Sequence, residues 1–170
     1  EIRLSLVGSE MCIRDRHQYE SELSEERPTL CANPAVDALA GHYDHEAHSL
    51  GVPVDWRLEL PRQLAIPEAD FCMMLGNLLE NAFHASQKLP PEQRQVKVLA
   101  RMLSPAMLGL LVENRYDGVL KRQQGTLHST KHDGMGIGLV SIQTAVSRYG
   151  GSMTVETENC LFRVNILLNL

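Results

Sequence analysis

The chain reads as an α+β fold, a two-layer sandwich with the helices on one face of a mixed β-sheet. Three observations predict it. Apolar residues recur at helical spacing in three separate stretches. Between and after them, short runs alternate apolar with polar residues, as half-exposed strands do. The resulting order, α-β-α-β-β-loop-α-β-β, supplies one sheet layer and one helix layer around a shared core.

Each element has a local cause. Asn33 and Pro34 start the first helix, Asn as N-cap and Pro at the first helical position. Val36, Leu39, Ala40, Tyr43, Ala47 and Leu50 follow on one face, and Gly51 ends it. Val54, Trp56, Leu58 and Leu60 alternate with charged residues as a strand. The second helix opens at Pro67-Glu68-Ala69-Asp70, with acids in its first turn favouring the dipole. It runs to about Lys88, where Pro90-Pro91 forbids continuation. Residues 96–103 and 107–114 form a strand pair joined at Ser104-Pro105-Ala106. Residues 115–133 lack apolar periodicity and read as a long, mobile, functional loop. The third helix carries Leu139, Ile142, Val146 and Tyr149 on one face and closes at Gly150-Gly151. Residues 152–157 and 161–168 make the last hairpin.

A length of 170 residues suits one domain with a real core. The net charge of -5 argues against a basic nucleic-acid-binding face, and 5% aromatic content argues against base stacking. Cys12, Cys31, Cys72 and Cys160 form no C-x-x-C and are expected to be reduced, buried and cytosolic. No apolar run approaches the roughly 18 residues of a membrane span, so direct membrane contact is not expected. Residues 1–18 include Ser5 to Arg16, which resembles a translated sequencing adapter and is expected to be non-native. Residues 19–32 read as the remnant of an upstream helix and linker, and residues 33–170 as the domain proper.

Two motifs carry chemistry. On a helical wheel, Phe71, Leu75, Leu78, Ala82 and Ala85 form an apolar stripe, while Asn77, Asn81, His84 and Lys88 align on a separate edge. Carboxamide oxygens one turn apart are hard neutral ligands, suited to a hydrated Mg²⁺ whose other ligands are phosphates. Glu80, at the margin of that edge, reads equally as a solvated carboxylate or a base. Gly134, Gly136 and Gly138 remove side chains at alternate positions just before Leu139 starts a helix, leaving backbone N–H groups to face an anion. Neither a dinucleotide fingerprint nor a P-loop is present. Alone, each motif is also what a surface helix or a flexible loop would show. Together they suit Mg·ATP.

The segments Asn77-Leu-Leu-Glu-Asn81-Ala-Phe-His-Ala85 and Gly134-Met-Gly136-Ile-Gly138-Leu resemble the N box and the second glycine box of the GHKL superfamily. That superfamily holds gyrase, Hsp90, MutL and the sensor histidine kinases. Asn33-Pro34-Ala-Val-Asp37-Ala-Leu is similar to the stretch leading into the catalytic domain of quorum- and peptide-sensing kinases. The resemblance implies the Bergerat ATP-binding fold, ATP and Mg²⁺ as ligands, and Asn81, with Asn77 one turn earlier, as the metal-binding residues. It implies Glu80 and Asn81 in catalysis, and His84, Lys131 and the glycine turn on the nucleotide. Residues 115–133 would be the ATP lid, with Lys121, Arg122, His128 and Lys131 available to phosphates.

One departure stands out. Where most of the superfamily has D-x-G-x-G for the adenine amine, this chain has Asn114, a neutral and weaker acceptor. The implied reaction is phosphoryl transfer from ATP to a histidine on an upstream dimerisation domain that is not found here. A response regulator would be the next partner, and a homodimeric, membrane-anchored full-length protein the context. His17 is not favoured as acceptor, and His42, His45 and His48 fan over too wide an arc for one metal site. The alternatives are a nucleotide-free GHKL interaction module or a non-kinase GHKL ATPase. The ATPases place Glu where Asn77 stands, which counts against hydrolysis. A serine-kinase anti-sigma factor is a minor variant.

Overall fold

The computed structural model describes residues 28–119, 122–123, 126–127 and 137–170. Its elements are α1 (Pro34–Leu50), β1 (Val54–Glu59), α2 (Glu68–Ser86), a 3₁₀ turn (Pro91–Gln93), β2 (Val96–Ser104), β3 (Met107–Arg115), β4 (Arg122–Gln123), β5 (Thr126–Leu127), α3 (Ile137–Arg148), β6 (Ser152–Glu158) and β7 (Leu161–Asn169). The main sheet runs β1-β2-β3-β7-β6. β1 and β2 are parallel and the other neighbours antiparallel, so the sheet is mixed as expected. A parallel pair needs a long crossover, and α2 supplies it.

The core lies between the sheet and the helices. Val96, Val98 and Ala100 of β2 point inward, with Leu108, Leu110 and Val112 of β3 and Val164, Ile166 and Leu168 of β7. Phe71, Met74, Leu75, Leu78, Leu79, Ala82 and Phe83 of α2 meet them, and each of the large side chains contributes about 1.5–3 kcal/mol by leaving water. The buried surface of α2 is wider than the stripe read from sequence, because α2 touches α1, α3, β2 and β3 together. On the open face of the sheet, Arg163 Nε donates to Glu113 at 2.7 Å and Nη1 to Glu156 at 3.0 Å.

The Asn-Pro start of α1 ties several pieces together. Asn33 Oδ1 accepts from the Val36 N–H at 3.0 Å. Its Nδ2 donates to Arg62 O at 3.1 Å and to Glu68 Oε1 at 2.8 Å, joining the starts of α1 and α2. Asp37 Oδ1 accepts from the N–H groups of Leu30 and Cys31, at 2.7 and 3.1 Å, which fastens the incoming chain to the helix. At the other end Gly51 takes the left-handed φ of 63° that closes α1. Arg94 reaches back to cap two segment ends, donating from Nη1 to Leu50 O at 2.8 Å and from Nε to Leu89 O at 3.0 Å.

α3 is anchored at its C-terminus. Arg148 Nη1 lies 3.0 Å from Asp70 Oδ2, and the Tyr149 hydroxyl donates to the same carboxylate in the first turn of α2. Gly151 follows, pressed against β7: a Cβ there would lie 2.1 Å from Leu167 O.

Four details differ from the sequence reading. α2 ends at Ser86, and Lys88 and Leu89 turn away through N–H bonds to Ala85 O and Ser86 O. Pro90 explains this, since it disfavours helical geometry in the residue before it. α3 starts at Ile137, so Gly138 lies inside the first turn. The loop after β3 contains a small ladder, β4 against β5, whose two-residue strands are too short to show periodicity. Cys31 is buried, but Cys72 is half-buried and Cys160 is exposed. Asn159 and Cys160 hold φ values of 51° and 59°, and this tight turn carries the Cys160 side chain outward.

Candidate nucleotide site

The candidate site lies where α2 faces the first turn of α3. α2 presents Asn77, half-buried, and Asn81, exposed. Gly138 stands directly opposite: a Cβ there would sit 3.4 Å from Asn81 Nδ2 and 3.9 Å from both Cβ and Oδ1 of Asn77. The fold therefore brings an asparagine edge and a glycine-bearing helix N-terminus together, as the two motifs required. Asn77 Nδ2 donates to Met73 Sδ at 3.2 Å, and its Oδ1 remains available on the Gly138 side. Among the described residues the Asn81 carboxamide makes no hydrogen bond. Two carboxamides beside the first turn of a helix fit a Mg²⁺ held jointly by protein oxygens and phosphates.

Buried polarity marks the C-terminal end of α2 and the end of β3. Asn33, Ser86 and Asn114 are the buried polar residues among those described, and two of them meet at the ends of α2 and β3. Asn114 lies on the inward face of β3 and donates from Nδ2 to Arg115 O at 2.9 Å. That leaves its carbonyl oxygen as the group able to accept a hydrogen bond. Ser86 Oγ donates to the same Arg115 carbonyl at 3.5 Å. Sequence reasoning missed Ser86, because one serine in an apolar helix carries no periodic signal.

Glu80 is exposed and engages α1. Tyr43 donates from its hydroxyl to Glu80 Oε1 at 3.4 Å. The Tyr43 hydroxyl is pushed up to about 12, chiefly by burial, then by the charge and hydrogen bond of Glu80, and lastly by Glu46. Tyr43 appeared in the sequence only as part of the helical stripe. A second signal was available in Gly76, a glycine inside a helix at the point where Tyr43 crosses it.

His84, in the last turn of α2, and Leu139, in the first turn of α3, are half-buried. Lys131, Gly134 and Gly136 lie outside the described residues, as do Lys121 and His128 of the expected lid. His42, His45 and His48 are exposed along α1, and no cluster of three metal-ligating side chains occurs among the described residues. Nor, among those residues, is any helix long and apolar enough to cross a membrane.

Residues 67–169 match the family described as the GHKL domain, and the chain belongs to that family. No curated protein matches the sequence. Among solved structures, the mycobacterial sensor histidine kinase MprB superposes with a TM-score of 0.59 at 18% identity, covering 79% of this chain and 93% of that one. The catalytic domain of histidine kinase ThkA gives 0.62 at 13% identity, with 79% and 90% covered. Full-length ShkA in complex with AMPPNP gives 0.58 at 18%, with 79% of this chain and 29% of that one covered. The fold is that of histidine kinase catalytic domains.

Proposed function

We propose that this domain binds Mg·ATP between α2 and α3 and donates the γ-phosphoryl group to a histidine on an upstream dimerisation domain. The observation that carries this reading is the apposition of Gly138 to Asn77 and Asn81. Asn81 and Asn77 would hold the metal, and the first turn of α3, with Gly134, Gly136 and Gly138 before and within it, would take the phosphates. His84 and Lys131 would add positive or polar contacts to the same oxygens. Asn114, with its carbonyl free to accept, would read the adenine amine. Bound Mg²⁺ would neutralise charge developing on the phosphates. The protein's own task is positioning and exclusion of water, which supplies most of the catalysis in phosphoryl transfer.

Glu80 stands beside this site as the candidate base. Asn77 occupies the position where GHKL ATPases carry a glutamate, and this favours transfer over hydrolysis. A response regulator would receive the phosphoryl group next, and the full-length kinase would act as a homodimer at the inner face of the membrane.

Calorimetric titration of ATP with and without Mg²⁺, on the native chain and on Asn81→Ala, tests the reading. Mg²⁺-dependent binding that Asn81→Ala removes is the expected result. Absence of binding at millimolar ATP would overturn it in favour of a nucleotide-free interaction module.

A further inference from the structure

Tyr43 belongs to α1, which carries none of the nucleotide motifs, yet it touches the candidate base. Its ring is buried, stacked edge-on against Phe83 of α2 at 6.0 Å between centroids and against His42 at 5.3 Å. Its hydroxyl crosses α2 at Gly76, where an added Cβ would lie 3.2 Å from that oxygen. A glycine inside a helix is unfavourable relative to alanine. At Gly76 that cost leaves room for the phenol to reach along the helix to Glu80 Oε1. Among the described residues the phenol is the one hydrogen-bond partner of the Glu80 carboxylate.

We propose that Tyr43 is a positioning residue for Glu80, holding one carboxylate oxygen so that the other faces an incoming histidine. This deepens the kinase reading and rests on it. A glutamate on an exposed helix edge samples several rotamers, and fixing it costs side-chain entropy. A phenol locked between two rings meets that cost in advance.

In the transfer, one imidazole nitrogen forms the N–P bond as the bond from the γ-phosphorus to the bridging oxygen breaks. ADP leaves with that electron pair. The proton on the other ring nitrogen passes to the free oxygen of Glu80. Tyr43 transfers nothing and touches neither substrate. Its contribution is the orientation of the acceptor oxygen.

Tyr43→Phe keeps the ring contacts and removes only the hydroxyl. In the full-length kinase carrying this domain and its acceptor histidine, Tyr43→Phe is expected to lower kcat for histidine phosphorylation about tenfold, a fraction of what a general base typically contributes. KM for ATP should stay within about twofold, because Tyr43 does not contact the nucleotide. Glu80→Gln should lower kcat further, and the double variant should be no slower than Glu80→Gln alone, as residues acting in series require.

In this chain itself, ultraviolet titration of the phenol should move towards the ordinary tyrosine range in Glu80→Gln. An unchanged kcat in Tyr43→Phe beside a slow Glu80→Gln would overturn the positioning role and leave the base intact. Additive losses in the double variant, or a phenol titration indifferent to Glu80→Gln, would overturn it as well. An unchanged kcat in Glu80→Gln would remove the base itself, and the proposal with it.

Discussion

Gly138 stands against Asn81 across the α2–α3 junction, at a distance where a Cβ on Gly138 would be 3.4 Å from Asn81 Nδ2. The two residues lie on different helices and are brought together only by the packing of the layer. A larger side chain at this point would occupy the space in front of both asparagines. Gly138→Val should therefore weaken Mg·ATP binding at least about tenfold, or about 1.4 kcal/mol. Its backbone already lies in the helix, so the thermal midpoint should change little. Calorimetry and a thermal melt on the same sample check both halves.

Gly151→Ala should act on stability alone. The added Cβ would meet the Leu167 carbonyl at 2.1 Å, and that carbonyl is part of the sheet backbone and cannot step aside. A loss of roughly 3 kcal/mol is expected, seen as a lower urea midpoint with an unchanged slope.

Asn33→Ala should cost about 2 kcal/mol, combining a lost N-cap with two lost hydrogen bonds to Arg62 O and Glu68. Asn33→Ser keeps the cap geometry and should recover about half of this. Urea denaturation of both variants tests the division between cap and tether.

The Tyr43 phenol makes stability fall at alkaline pH. Its folded value of about 12 lies above the ordinary 10, so between these pH values the folded state holds a proton that the unfolded state has released. The stabilisation is complete below pH 10 and is lost as pH rises through 12. Glu80, Glu46 and His42 are the titratable groups around it. Tyr43→Phe should flatten this alkaline limb in urea unfolding measured across the range. Glu80→Gln should shift its upper end downward.

Much of this was legible beforehand, and the limits have physical causes. The alignment of Asn77 with Asn81 on α2 and the inward face of α3 at Ile142 and Val146 both follow from the 3.6-residue period, whereas Lys88 and Tyr149, read as continuing these faces, lie beyond the helix ends. The meeting of Gly138 with Asn81 was implied through the shared ligand the two motifs suit and the likeness to GHKL domains, since no local pattern encodes a contact between separate helices. Ser86 and the Tyr43–Glu80 bond escaped because each depends on one neighbour in space. The β4–β5 ladder escaped because two-residue strands contain no period. The first turn of α3 was placed too late because glycine is discounted as a helix former, although an N-terminal turn facing a ligand is where glycine is of use.

The clamp on Asp70 gives α3 an unequal pair of ends. Arg148 and Tyr149 hold its last turn to the start of α2, while its first turn borders the candidate phosphate site. With 12 residues, α3 is a lever about 18 Å long. A tilt of about 3° around the clamped end would move the first turn of α3 by about 1 Å, by the same helix geometry. A small change of angle at the ion-paired end of α3 thus becomes a displacement of Gly138 relative to Asn81 that is large on the scale of a metal–ligand distance.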